Sequence, residues 1–257
     1  MEAQLLWEGK LLKANLANPL AISIPIKNGL ENPNCYFSEP VKFETIRGKG
    51  FVGSTKLGGS VNHQKVTISP HGNGTHTECY AHITNTDAVI ATHLKKYLHI
   101  AQLITIKPVA HHEDLIIDKH VIANKFLIKG IKALIIRTMP NNSTKLRHNY
   151  SGSNPAYFSK EAMELIVDHG IEHLVTDLPS VDREADEGKL LAHKTFWQIA
   201  AKTRTNATIT ELAYVPNKIE DGLYLLDLQI ISLHMDASPS NPILYSLKKI
   251  QDYSSNK

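Results

Sequence analysis

An α/β fold is what this sequence predicts, and three observations carry it. Two helix–glycine–strand units follow one another, at 118–137 and 159–176, and such units favour at least some parallel strand pairing. Apolar alternation of the strand type recurs along most of the chain. Neither an internal repeat nor a Pro/Ser linker divides it, so residues 1–257 are expected in a single domain, with 1–19 as an N-terminal arm.

In the arm, Leu5, Leu6, Leu11, Leu12 and Leu16 offer packing to the rest. Ala21 to Ile26 alternates as a strand and ends in the turn-forming Lys27-Asn28-Gly29. Val41 to Ile46 reads as another strand. The glycines between 48 and 59 mark corners, because they lack both the Walker spacing and the G-x-G-x-x-G fingerprint of a phosphate cradle. Val61 to Ser69 alternates and delivers the chain to His71. Asp87 is placed to cap a short helix through Leu94, and Ile100 to Val109 is a strand with a buried face. His111-His112-Glu113-Asp114 is read as a solvated loop, since adjacent histidines point apart in either regular structure.

From Asp118 a helix with Val121, Ile122, Phe126 and Leu127 as its apolar side is expected to end at Gly130 and lead into a strand from Ile131 to Arg137. Residues 141–153 form a long polar loop. Ser159 caps a periodic helix, Gly170 stops it, and Ile171 to Thr176 is the next strand. A helix over 188–200 holds His193. Thr208 to Val215 is a strand with Glu211 among apolar neighbours. Gly222 to Met235 is a long apolar strand, followed by a turn at Asp236-Ala237-Ser238-Pro239.

Composition narrows the function. Hydrophobic residues at 42% and charged residues at 21% are ordinary for a soluble globular protein. The net charge of +3 is spread rather than striped, with no basic face interleaved with aromatics, which argues against a nucleic-acid partner. Cys35 and Cys79 stand far apart, in no metal-binding spacing, so neither a disulfide framework nor a thiolate zinc site is expected. No apolar run reaches the roughly 20 residues of a membrane span, and the start lacks the pattern of a signal peptide. A cytoplasmic protein without membrane or nucleic-acid partners is the expectation.

The chemistry concentrates in Pro70-His71-Gly72-Asn73-Gly74-Thr75-His76-Thr77-Glu78-Cys79-Tyr80-Ala81-His82, where three imidazoles and a carboxylate lie within twelve residues. Imidazole nitrogen and ionised oxygen are the donors that bind zinc or manganese. On an extended backbone, side chains two apart share a face, so His76 and Glu78 converge. His82 keeps that face if the strand continues, or reaches it from a turn. Cys79 alternates with these ligands and is expected to pack. A single histidine is more often a surface or core residue; three with an acid between them are harder to explain that way.

His71 to His82 resembles the H-x-G-T-H-x-D-x-P-x-H signature of the metal-dependent cyclase-like hydrolase family, which includes bacterial kynurenine formamidase and isatin hydrolase. A T-D-x-x-S-(I/V)-D element is matched by Thr176 to Asp182, a downstream histidine by His193, a glutamate in a strand by Glu211, and an A-S-P element by Ala237-Ser238-Pro239. The resemblance implies a swivelling β/β/α fold with a mixed sheet core and flanking helices, and one or two divalent metals, Zn2+ or Mn2+. By it, His71, His76 and Glu78 would hold one metal, Glu78 would bridge to a second completed by His193 and Glu211, and His82 would be the general acid/base. It also implies a homodimer or larger assembly.

The chain departs from the signature in three ways. One extra residue separates His71 from Gly74-Thr75-His76, Glu78 replaces aspartate, and Tyr80 stands where the family has proline. The first two changes act on the same ligand arc and offset each other if His71 turns inward. The expected activity is arylformamidase-like hydrolysis of an amide, cyclic amide or lactone bond in a small molecule. Metal-bound water, its pKa lowered from about 15.7 to about 7, would attack, and an imidazole would move the proton. Asp177, Ser180 and Asp182 either order the surroundings of His193 or cap turns and helix starts. The alternative to an enzyme is a catalytically silent metal- or small-molecule-binding protein on the same fold.

Overall fold

Period-two patterning dominates the chain, and in the computed structural model, which describes residues 1–125 and 127–252, it builds one large sheet that closes on itself. An N-terminal hairpin, β1 (Glu2–Trp7) and β2 (Lys10–Asn15), turns at Glu8 and Gly9, both at positive φ as a tight two-residue hairpin requires. The barrel strands are β3 (His76–Glu78), β4 (Leu98–Ile106), β5 (Ala133–Thr138), β6 (His173–Thr176), β7 (Thr208–Glu211), β8 (Gly222–Ile230) and β9 (Ala237–Asp252). They run in the order β9-β8-β4-β5-β6-β7-β3, and the start of β9 pairs back onto β3, closing a seven-stranded barrel. Strands β4 to β7 are mutually parallel; β3, β8 and β9 pair antiparallel. The α/β class is therefore realised as a mixed sheet with few helices, and the arm hairpin extends the sheet by pairing β2 with the C-terminal part of β9.

Alternation along each strand separates two cores. Ala101, Leu103, Ala133, Ile135 and Val175 fill the inside of the barrel. Leu134, Ile136, Leu174 and Ile209 face outward, against Met163 and Ile166 of α4 (Lys160–Asp168) and Phe196 and Trp197 of α5 (Leu191–Trp197). Shorter helices are α1 (Pro70–Asn73), α2 (Ile90–His93) and α3 (Lys119–Ala123). The Ser159 and Asp118 side chains each accept a backbone N–H of the first helical turn, of Ala162 and Val121.

Several local expectations are corrected. Of the strand expected over Ala21 to Ile26 only Ala21 is in one, the two-residue strand Leu20–Ala21; farther on, the Ile24 N–H donates to the Thr75 hydroxyl instead of to a neighbouring strand. Asp87 caps nothing: α2 starts after Val89, and the Ile90 N–H donates to the Met235 carbonyl. Helix α3 stops at Ala123 with Asn124 as its cap, well before Gly130; Phe126 lies outside the described residues. His111 to Glu113 are exposed, as expected, but His111 pairs with Asp114 at the end of a small hairpin, and Asp114 is half-buried against Asn154, Tyr157 and Arg183. Strand β8 ends at Ile230, and Ala237 to Pro239, expected as a turn, opens the sixteen-residue β9. Among the described residues no helix is long and apolar enough to cross a membrane.

Candidate metal centre

The register of β3 against β7 sets Glu211 opposite His76 and Ile209 opposite Glu78. Directly opposed residues share a face, so His76, Glu78 and Glu211 all project from the outer side of the barrel wall, beneath α5. Thr77, between them, points the other way and bonds the Thr210 hydroxyl at 2.8 Å. Helix α5 then lowers His193 onto the same spot. The His76 Nε2 lies 3.4 Å from Glu211 Oε2, and the His193 Nε2 lies 3.1 Å from Glu78 Oε1 and 3.9 Å from Glu211 Oε1. These four side chains are buried and form the floor of the site.

Above the floor sits a half-exposed mouth of His71, His82 and Asp236. His71 does turn inward despite the extra residue: its Nδ1 is 3.3 Å from Glu78 Oε2. The extra residue is absorbed by α1, whose single turn brings Pro70 to Asn73 round before the extended Gly74. Gly72 packs so closely on Ser38 that an added Cβ would clash with its hydroxyl. His82 reaches the site from the 3-10 turn Tyr80–Ile83, the turn alternative, with Nε2 3.7 Å from Glu78 Oε2. All six residues named from the sequence thus lie together. Asp236 is the addition: its Oδ2 binds His71 Nε2 at 2.9 Å and His82 Nδ1 at 3.3 Å.

Each imidazole is anchored through one nitrogen and presents the other. His76 Nδ1–H donates to the Gly74 carbonyl at 3.0 Å. His193 Nδ1 is held by Asp182 at 2.6 Å. Asp182 also accepts the backbone N–H groups of Ala192 and His193 at the start of α5, so it both orders His193 and caps the helix. Glu211 Oε1 is steadied by the Val181 N–H at 2.9 Å. Asp177, by contrast, does not touch the site: it is buried, and binds Thr138 and the Lys145 ammonium at 2.7 Å. Lys145 comes from the polar loop that the sequence left without a role.

Electrostatics mark the site as built for a cation. Burial disfavours charge on His71, but Asp236 and Glu78 outweigh it and raise its pKa to about 10. Burial likewise opposes charge on His193, and Asp182 and Glu78 raise it to about 10. Glu78 is pulled well below the carboxylate range: burial acts against that, and the charges and hydrogen bonds of His82, His193 and His71 prevail. Hydrogen bonds from His71 and His82 lower Asp236. In the protein alone, protons do the work of positive charge among these carboxylates. Within the cluster two buried atoms nonetheless lack a hydrogen bond of normal geometry, His76 Nε2 and Glu78 Oε2, whose nearest ion-pair contacts are the longer ones of 3.4 Å to Glu211 Oε2 and 3.3 Å to His71 Nδ1. Buried polar atoms are rarely left so. Metal-ligand groupings in reach of one another are His71-His76-Glu78, Glu78-His82-His193 and His71-His82-Asp236. Imidazole and carboxylate donors at this density fit a divalent ion.

Comparison with known proteins follows the same line. The Cyclase family model, described as "Putative cyclase", matches residues 15–183. A solved structure of a "predicted metal-dependent hydrolase" from Bacillus stearothermophilus is 18% identical, over 89% of this chain and 98% of that one, with a TM-score of 0.62. Isatin hydrolase A from Labrenzia aggregata, bound to benzyl benzoate, is 10% identical over 89% and 93% of the two chains, with a TM-score of 0.64. Isatin hydrolase A from Ralstonia solanacearum is 12% identical over 90% and 92%, with a TM-score of 0.63. At such identities these structures share a fold with this chain. A comparison with curated protein sequences finds no match.

Proposed function

The chain belongs to the cyclase family, and from that premise we propose that it is a metal-dependent hydrolase acting on an amide, cyclic amide or lactone bond of a small molecule, arylformamidase-like in its chemistry. The observation that carries this reading is the pair of buried atoms without a normal hydrogen bond, His76 Nε2 and Glu78 Oε2, at a point where three further imidazoles and two further carboxylates meet. In this reading His71, His76, Glu78, His193 and Glu211 hold one or two divalent cations. A bound divalent cation supplies Lewis acidity, polarising an acyl oxygen and making water a nucleophile near neutral pH.

The chain's own residues do the rest. Asp236 only accepts hydrogen bonds when ionised, so His82 Nδ1 carries the proton toward it and the lone pair of Nε2 faces the cluster. That tautomer suits His82 to take a proton from attacking water and return it to the leaving nitrogen or oxygen, help worth about 10²–10⁴ in rate. Asp182 and Gly74 keep His193 and His76 turned inward. A cavity of about 360 Å3 opens against His82 and Asp236, with Thr86, Asp87, Val89 and Met235 around it, a size suited to a small substrate.

The test is hydrolysis of formylkynurenine, isatin and simple lactones, with and without added Zn2+ or Mn2+, beside elemental analysis of the purified protein. Turnover that appears with metal and vanishes with chelator is expected. A protein that retains stoichiometric metal yet turns over none of these acyl compounds contradicts the hydrolase reading and leaves a silent binding protein.

A further inference from the structure

Because β4 to β7 run parallel, Glu211 and the Asp177–Asp182 loop lie at or beyond their C-terminal ends, and the opposite ends meet at a separate cavity of about 440 Å3. Its floor is His99, near the start of β4, and His173, at the start of β6. Both are more than nine-tenths buried, with ring centroids 4.0 Å apart. Residue 99 alternates with Ala101 and Leu103, and residue 173 with Val175, so both rings belong to the inner face of the barrel, whereas the metal centre sits on the outer face. Lys95, Lys96 and Lys132 line the cavity, and Trp7 and Ile100 give it an apolar wall.

The charges and ring nitrogens define what would fit. Lys132 is held by Glu172 at 2.8 Å, Glu8 lies over Gly130, and Asp227 acts on His99 from β8. Lys95 and Lys96 form no ion pair among the described residues. His99 Nε2–H donates to the Lys96 carbonyl at 2.9 Å, so Nδ1 is left as an acceptor. His173 bonds the Thr208 hydroxyl through Nδ1 at 2.9 Å, which leaves Nε2 free. Burial keeps both rings neutral, pushing His173 down to about 3 and lowering His99. The site therefore offers two unpaired ammonium groups at its rim, over a floor of neutral imidazoles.

An ionised carboxylate balances only one of these two charges. A phosphate monoester, whose second pKa is about 6, carries close to two negative charges near neutral pH and balances both Lys95 and Lys96. The volume leaves room for a small flat body against Trp7. We propose that this cavity binds the phosphate monoester of a small, flat organic molecule, independently of the metal centre.

Phenyl phosphate, with benzoate as the carboxylate control, tests this on the full chain by calorimetric titration and by NMR of the histidine ring protons. Saturable phenyl phosphate binding is expected, with shifts at His99 and His173 and benzoate weaker by about tenfold. The exposed pair Lys95→Gln and Lys96→Gln, made together, should weaken phenyl phosphate about tenfold and leave the circular dichroism spectrum unchanged. Absence of saturable binding, benzoate binding as tightly, or full-strength binding by the double variant each overturns the proposal. The last of these, with shifts at His82 instead, would place phenyl phosphate at the metal centre.

Discussion

The floor and the mouth of the metal centre are made of the same chemistry on different supports. His76, Glu78 and Glu211 stand on two paired strands and His193 on a helix packed through Phe196 and Trp197, and all four are buried. His71, His82 and Asp236 stand on single turns and an irregular segment, half-exposed, and hold one another through a single carboxylate oxygen. A rigid, dry floor suits fixed coordination; a wetter mouth, with one acid shared between two rings, suits proton movement. On the proposed reading the floor, joined by His71, holds the cation while His82 and Asp236 serve proton transfer, and each half of that division is open to measurement.

The largest effect should come from Glu78, which touches His71, His82 and His193 at once. Glu78→Gln keeps the volume and removes the charge, and should cut Zn2+ or Mn2+ affinity by more than about 100-fold in a calorimetric titration, abolishing turnover with it. Affinity within about twofold of the parent would break the assignment of Glu78 to the floor. The mouth predicts the reverse pattern. His82→Ala should keep its metal by elemental analysis while kcat falls by about 10²–10⁴; unchanged turnover would remove His82 from proton transfer.

Proton linkage sharpens the comparison further, because one raised imidazole lies in each region. His71 and His193 both bind protons up to pH of about 10 in the metal-free protein, and both must lose one to coordinate. Affinity should accordingly rise with pH until about 10, by up to about tenfold per unit for each proton displaced. Titrations in buffers of different ionisation enthalpy should count about two protons released per metal-loaded site; a count of zero would mean that neither ring coordinates. The smallest effect is expected from Asp182→Asn, which leaves every ligand in place but loosens His193: affinity should fall by about 10–100-fold. Loss of helix α5 by circular dichroism without loss of affinity would reduce Asp182 to a cap.

How far the sequence reveals this division follows from where regular structure ends. His76 and Glu78 are legible because alternation on a strand is a geometric rule, and their partners His193 and Glu211 follow from the family resemblance. The helix capped by Ser159 is legible for the same reason: its period and its cap agree. Asp236 leaves no such trace. It lies in an irregular segment before a strand interrupted by Pro239 and Pro242, and proline within a run argues against a strand. That is also why β9, and with it the closure of the barrel, is invisible beforehand: Ala237 to Pro239 read as a turn is the pairing that closes it. Lys145 escapes because a loop lysine acquires meaning only when folding buries Asp177 beside it.

The central claim is that His76 Nε2 and Glu78 Oε2 lack hydrogen bonds of normal geometry because a divalent cation belongs between them. Anomalous diffraction from crystals of the full chain soaked in Zn2+ tests it most directly. The account predicts a peak in coordination contact, about 2.0–2.2 Å, with both atoms. Anomalous density confined to surface histidines, with water bonded to His76 Nε2 and Glu78 Oε2, would contradict it.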